Sequence, residues 1–269
     1  MKKICFLTAL LLIFVLVPTG CSLGKKEVKE VGTLKFVANG EDFAREGFIS
    51  KDNWRISFDH VYVNLADITG YQANPPYDAY GGGEIKSSSK VSLDKIYTMD
   101  IAQGEGPSVV GKVENAPVGH YNAISWSMVK GNGGPAEGNV LVLIGDAKKE
   151  NKTINFSIKF DQELLIKAGE FIGDERKGIV QRGKEAELEM TFHLDHIFGD
   201  IETPADDDLN LGSLGFEPFA NIAENGQLDV DNQGLKTKLS NSDYEKLSDL
   251  LYSLPHVGEG HCYVEKIRG

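Results

Sequence analysis

Ile154-Asn155-Phe156-Ser157-Ile158-Lys159-Phe160 alternates apolar and polar side chains without a break. Successive side chains of an extended chain point to opposite faces, so the four apolar residues share one side. A helix would scatter the same four around its circumference. The stretch therefore reads as a strand with one face over a core. The same period recurs on both sides of it. Ile124, Trp126 and Met128 repeat it after the Pro117-Val118-Gly119 turn. Leu188, Met190, Phe192 and Leu194 repeat it again, with Glu187, Glu189, Thr191, His193 and Asp195 on the other face. Trp54 to Leu65 is a long extended stretch, and Val140 to Ile144 is an unbroken apolar run. With residues 34–38, 93–101 and 109–113 this makes about eight strands, which predicts an all-β sandwich over residues 32–198. The 30 glycines fit a chain with many turns.

Residues 199–269 have a different texture. An acidic loop region surrounds Asp206-Asp207-Asp208, and a single helix follows. Ser242 is the expected cap, Glu245 completes a capping box, and Leu247, Leu250, Leu251 and Leu254 form one apolar stripe. Pro255 ends the helix. The tail His256-Val257-Gly258-Glu259-Gly260-His261-Cys262 then reads as a glycine-hinged loop packed on the sandwich.

The N-terminus gives the chain an address. Lys2 and Lys3 precede an apolar run from Ile4 to Val17, and Thr19-Gly20 precede Cys21. Two charges, a short apolar stretch and a small-residue cleavage site make residues 1–20 a signal peptide. The run falls short of the ~20 apolar residues a comfortable membrane span needs. Cys21 after the small pair resembles the lipobox of bacterial lipoproteins. The resemblance implies cleavage before Cys21, lipidation of its thiol, and attachment to the membrane by acyl chains alone. Residues 21–31 are polar and charged, a short tether. Ser22, rather than aspartate, implies an outer-membrane destination in a Gram-negative cell, facing the periplasm or the surface.

A second resemblance lies further along. Val61-Tyr62-Val63-Asn64-Leu65-Ala66-Asp67-Ile68, Met99-Asp100-Ile101 and Ala116-Pro117-Val118-Gly119-His120-Tyr121-Asn122-Ala123-Ile124 are similar to a domain of unknown function found in bacterial surface lipoproteins. That family is thought to adopt a prealbumin-like, Greek-key sandwich. The similarity covers residues 33–130 and implies a fold and a location, not a reaction.

Charge and cysteine usage narrow the function. Removal of Lys2 and Lys3 with the signal peptide leaves 26 basic against 40 acidic side chains, moving the formal charge from −12 to −14. Such a surface repels phosphate backbones, so nucleic acid is excluded as a partner, whereas cations are attracted. Cys5 leaves with the signal peptide and Cys21 takes the lipid, so Cys262 has no internal disulfide partner. A lone thiol in an oxidising compartment is buried, paired with another molecule, or bound to metal.

Four of the six histidines fall in two short clusters. In Phe192-His193-Leu194-Asp195-His196 the side chains of His193 and Asp195 share a strand face, and His196 joins them if the strand ends there. Imidazole suits zinc and copper, and Asp195 either ligates or orients a histidine. In the tail, His256, His261 and Cys262 flank glycines that let the loop fold back. If the tail docks beside residues 193–196, then His193, His196, His261 and Cys262 make a closed tetrahedral site. The plainer readings are exposed histidines at a strand end and a buried Cys262 beside Tyr263. His60 reads as a hydrogen-bonded strand histidine, and His120 as a structural one. Asp229-Val230-Asp231-Asn232-Gln233-Gly234 begins like a calcium loop, but its twelfth position is Ser240 and no helix precedes it, so calcium is disfavoured.

Three function classes follow. The first is an envelope lipoprotein that binds zinc or copper for capture, storage or delivery, working with a metal transporter or receptor. The second is a structural or adhesive surface module without metal. The third is a metallo-hydrolase. His193-Leu194-Asp195-His196 resembles the back half of the H-x-H-x-D-H motif of metallo-β-lactamase-type hydrolases, but the leading histidine falls on Thr191. No serine elbow, P-loop or dinucleotide fingerprint occurs either. A binder, not an enzyme, is the expectation.

Overall fold

A computed structural model describes residues 30–267; the expected signal peptide, Cys21 and most of the expected tether lie outside the described residues. Strands account for 46% of the structure and helices for 18%, so the β class read from the period-two stretches holds. The Lys152–Phe160 strand has the burial its sequence implies. Ile154, Phe156, Ile158 and Phe160 are buried, and the residues between them are not.

The strands form two main sheets. The larger is built on Arg55–Ala73, whose 19 residues pair with Leu141–Lys149 along one half and Ala123–Met128 along the other. Lys152–Phe160 extends it beyond Leu141–Lys149, and Leu164–Ala168 extends it beyond Ala123–Met128. The smaller sheet has Val31–Asn39 at its centre. Glu185–Phe192 lies parallel on one side of it and Ser108–Pro117 antiparallel on the other.

Apolar residues of both sheets meet in one core that includes Leu34, Phe36, Leu188, Ile68, Trp126 and Ile166. Gly70 shows how closely the layers approach. A Cβ there would lie 2.8 Å from Leu188 Cδ1 and 3.2 Å from Leu34 Cδ2, so any larger residue would push the sheets apart. Face-to-face sheets around a shared core make a sandwich.

The C-terminal third differs from its reading as a loop region with one helix. It contributes strands to both sheets. Gln227–Val230 pairs with Lys152–Phe160, Cys262–Lys266 with Leu164–Ala168, and Pro255–His256 with the end of Glu185–Phe192. The described residues also hold six α-helices rather than one, most of a turn or two. The longest is Asn241–Leu250, and Ser240, not Ser242, caps it by accepting from the Asp243 amide at 3.1 Å. The Ser240 hydroxyl also donates to Asp243 Oδ2 at 2.7 Å, so the cap and its acidic partner lie two residues earlier than Ser242 and Glu245. Leu247, Leu251 and Leu254 of the expected stripe are buried.

Two acidic stretches are absorbed by structure. Asp231 caps Asn232–Lys238 by accepting from the Gly234 amide at 2.7 Å, and Asp229 pairs with Lys159. Asp207 caps Asp208–Gly212. No described helix is long and apolar enough to cross a membrane.

Candidate metal centre

The Glu185–Phe192 strand stops at Phe192, and the next residues turn into the short helix Asp195–Phe198. This departs from the extended reading of 187–195, and it brings His193 and His196 together. Residues three apart on a helical turn share a face. The His196 amide donates to the His193 carbonyl at 3.3 Å, and the two ring centroids lie 5.3 Å apart. The turn is held from beneath by Ile197 and Phe198, both fully buried.

The C-terminal tail supplies the third ring. Pro255–His256 pairs antiparallel with Thr191–Phe192, and the His193 amide donates to the Leu254 carbonyl at 3.0 Å. That register sets the His256 ring 4.5 Å from His193 and 5.1 Å from His196, centroid to centroid. Three imidazoles are thus packed ring against ring. Donor atoms of His193, Asp195 and His196 lie within 4.8 Å of one another, as do those of Glu41, His193 and Glu259.

The tail loop also orients His193. Its Nε2 sits 3.2 Å from the Gly258 carbonyl oxygen, which can only accept, so Nε2 carries the proton. The lone pair of the neutral ring is then on Nδ1, which faces Asp195 Oδ1 at 3.9 Å and Glu41 Oε2 at 3.7 Å. A fixed tautomer with a backbone carbonyl behind it is the usual support of a metal-ligating histidine. Gly258 itself is held by Thr191, whose hydroxyl accepts from the Gly258 amide at 2.9 Å. Its φ is +60°, and a Cβ there would lie 2.0 Å from the Ile172 carbonyl oxygen. Only glycine fits. Thr191 in turn donates to Glu189, a buried carboxylate that also accepts from Asn39 at 2.7 Å and pairs with Lys177.

No family model, curated protein or solved structure matches this chain.

Burial dominates the electrostatics. It pushes the proton affinity of His256 down to about 3, with the neighbouring imidazoles His193 and His196 adding to the effect. It lowers His196 as well, against the opposing pull of Asp195. The carboxyls of Asp195 and Glu41 are raised, again first by burial. Asp195 Oδ1 and His256 Nδ1 are buried with no hydrogen-bond partner. Neutral imidazoles and under-satisfied buried oxygens are what a cation relieves.

Two expected ligands are elsewhere. Cys262 begins the Cys262–Lys266 strand opposite Ala168, with its side chain in the hydrophobic core. Burial drives its thiol affinity for the proton well up, which disfavours the thiolate a metal needs. His261 is exposed and stacks on Tyr80 at 4.7 Å. Of the expected set His193, His196, His261 and Cys262, the structure therefore brings together only His193 and His196, with Asp195 among their donors and the His256 ring packed beside them. Strand alternation explains the difference, because a Cys262 that faces the core leaves its neighbour His261 on the outside. His60 is bonded to Asp100 at 2.7 Å, and His120 lies 3.6 Å from Glu170; neither joins the centre.

Sequence reading missed Glu41, Glu259 and Thr191. Glu259 stands between the two tail glycines and was open to inspection there. Glu41 carried no signal, being about 150 residues from His193.

A pH prediction follows for the metal-free protein. The unfolded chain takes up a proton on His256 near pH 6.5, whereas the folded chain resists until about 3. Between those values the unfolded state binds more protons, so stability falls as pH drops through 6.5 and stops falling on this account below 3. Relative to His256→Phe, the wild type should lose about 3 kcal/mol between pH 7.5 and pH 4. Urea unfolding of both proteins at the two pH values measures it.

Proposed function

We propose that this chain is a lipid-anchored envelope protein whose sandwich holds a divalent transition metal, zinc or copper, for capture, storage or delivery. The observation that carries the reading is the trio of mutually packed imidazoles, buried His193 with half-buried His196 and His256, beside the unpartnered carboxylate oxygen of Asp195. Burial and the packed neighbouring rings lower the proton affinity of His196 and His256, which favours the neutral imidazole that binds metal. Three nitrogens and one carboxylate favour zinc or copper(II) over magnesium or calcium. Among the described residues the one thiol, Cys262, lies in the core rather than at the trio, which argues against a site specialised for copper(I).

Binding is favoured over hydrolysis at the Thr191 position. Metallo-hydrolases with the related motif place a histidine there, whereas here the hydroxyl is committed to Gly258 and Glu189. The anchor rests on the lipobox-like Thr19-Gly20-Cys21, and the prealbumin-like resemblance agrees with a surface or periplasmic address. A metal transporter or receptor of the envelope is the partner this implies.

Protein purified without a histidine tag and dialysed against zinc should retain one equivalent by elemental analysis. Its melting temperature should rise with added zinc. A metal-free protein whose melting is indifferent to zinc and copper would overturn the reading in favour of a structural module.

A further inference from the structure

His193 belongs to two donor groups at once. One is the buried set with Asp195 and His196; the other joins it to Glu41 and Glu259. Its Nδ1 faces both, at 3.9 Å from Asp195 Oδ1 and 3.7 Å from Glu41 Oε2. One lone pair bonds one ion, and Nε2 is already committed to the Gly258 carbonyl. The groups are therefore alternative positions for a single ion, not the halves of a two-metal centre.

The two positions differ in depth and chemistry. Asp195 is buried, and its Oδ1 has no partner. Glu259 is exposed at the tip of the tail loop, and Glu41 is half-buried at the start of Glu41–Arg45. Glu41 also lines a cleft of about 460 Å³ in which Asp42, Glu46, Asp200 and Glu202 face a single cation, Arg55. It adopts a left-handed backbone, φ 56°, rare for a non-glycine residue, and its amide donates to Asn39 Oδ1 at 2.9 Å. A strained residue held so that its carboxylate meets His193 is costly unless it is used.

We infer that Glu41 and Glu259 form an outer receiving position, from which a divalent cation passes inward to Asp195 and His196 while staying bonded to His193. This rests on the metal-site reading above. Carboxylates accept a hydrated cation readily but hold zinc or copper less firmly than imidazoles do. Exchange then proceeds one ligand at a time. Each carboxylate bond is released as an inner nitrogen bond forms, and no bare ion is exposed to the apolar interior.

The test is zinc loading of the metal-free chain, followed by stopped flow with zinc chloride, alongside equilibrium titration against a chromophoric chelator. The double variant Glu41→Gln, Glu259→Gln should load and release zinc at least tenfold more slowly, with its Kd within threefold of wild type. His196→Ala should keep the fast capture and lose affinity. Glu46→Gln with Glu202→Gln removes the same charge from the cleft without touching His193 and should load nearly as fast as wild type.

Wild-type rates in the first double variant would overturn the relay. So would equal slowing by the cleft pair, which would mean long-range attraction only. A Kd that weakens in step with the rate would make the glutamates permanent ligands and overturn it as well. Failure of the wild type to take up any zinc would instead strike the metal site itself.

Discussion

His193→Ala should weaken zinc binding by about a hundredfold or more, the loss expected when a ligand and its supporting bonds go together. His193 is the one side chain in contact with every other part of the centre. Its ring packs on both remaining imidazoles, and its Nδ1 faces Asp195 and Glu41. Its Nε2 fixes the tail loop through Gly258. His196→Ala and His256→Ala should each reduce affinity strongly, because each removes one of three nitrogens. The contrast lies in the tail. His261→Ala and Cys262→Ser should leave the Kd within about threefold, since neither side chain reaches the trio. Cys262→Ser should instead lower stability by placing a hydroxyl in the core. Chelator competition with zinc on the five variants decides the matter. A collapse of affinity in His261→Ala or Cys262→Ser, with His256→Ala unaffected, would restore the thiolate site and sink the imidazole trio.

What the sequence revealed and what it hid have different physical origins. Period-two alternation is a local signal, and wherever one face is buried and the other is not, as at Ile154–Phe160, it is legible without a structure. Two-residue strands carry no period. Pro255–His256 could not be read as strand, although its pairing with Thr191–Phe192 is what places the third imidazole. The clustering of histidines at 193–196 and 256–261 was visible, but which members face inward was not. His196 turned inward because the chain coils after Phe192, and His261 turned outward because Cys262 faces the core. The lone thiol of Cys262 has the chemistry of a ligand, whereas its environment is that of a small apolar residue. Glu41 reaches the centre through the pairing of Val31–Asn39 with Glu185–Phe192, a parallel contact between distant segments that no local pattern announces.

Phe198→Ala should cost about 4 kcal/mol of stability, in the range for removing a buried phenyl ring, and should impair the metal centre at the same time. Phe198 is fully buried, and its ring lies 5.8–6.3 Å, centroid to centroid, from Phe48, Phe58, Phe216 and Phe219. Those partners come from three separate segments, so relaxation of one cannot refill the void, and the cavity term should be close to its full value. Phe198 also ends the turn that carries His196. With the ring gone, the turn loses its anchor, and the His193–His196 spacing of 5.3 Å is no longer enforced from below. Zinc affinity should therefore drop about tenfold even though no ligand has changed. Phe198→Leu fills most of the volume and should cost only about 1–2 kcal/mol with affinity nearly preserved. Urea unfolding and zinc titration on both variants test the coupling. If Phe198→Ala lost stability yet bound zinc as tightly as wild type, the turn would be held by the imidazoles themselves, and the aromatic cluster would have no part in building the centre.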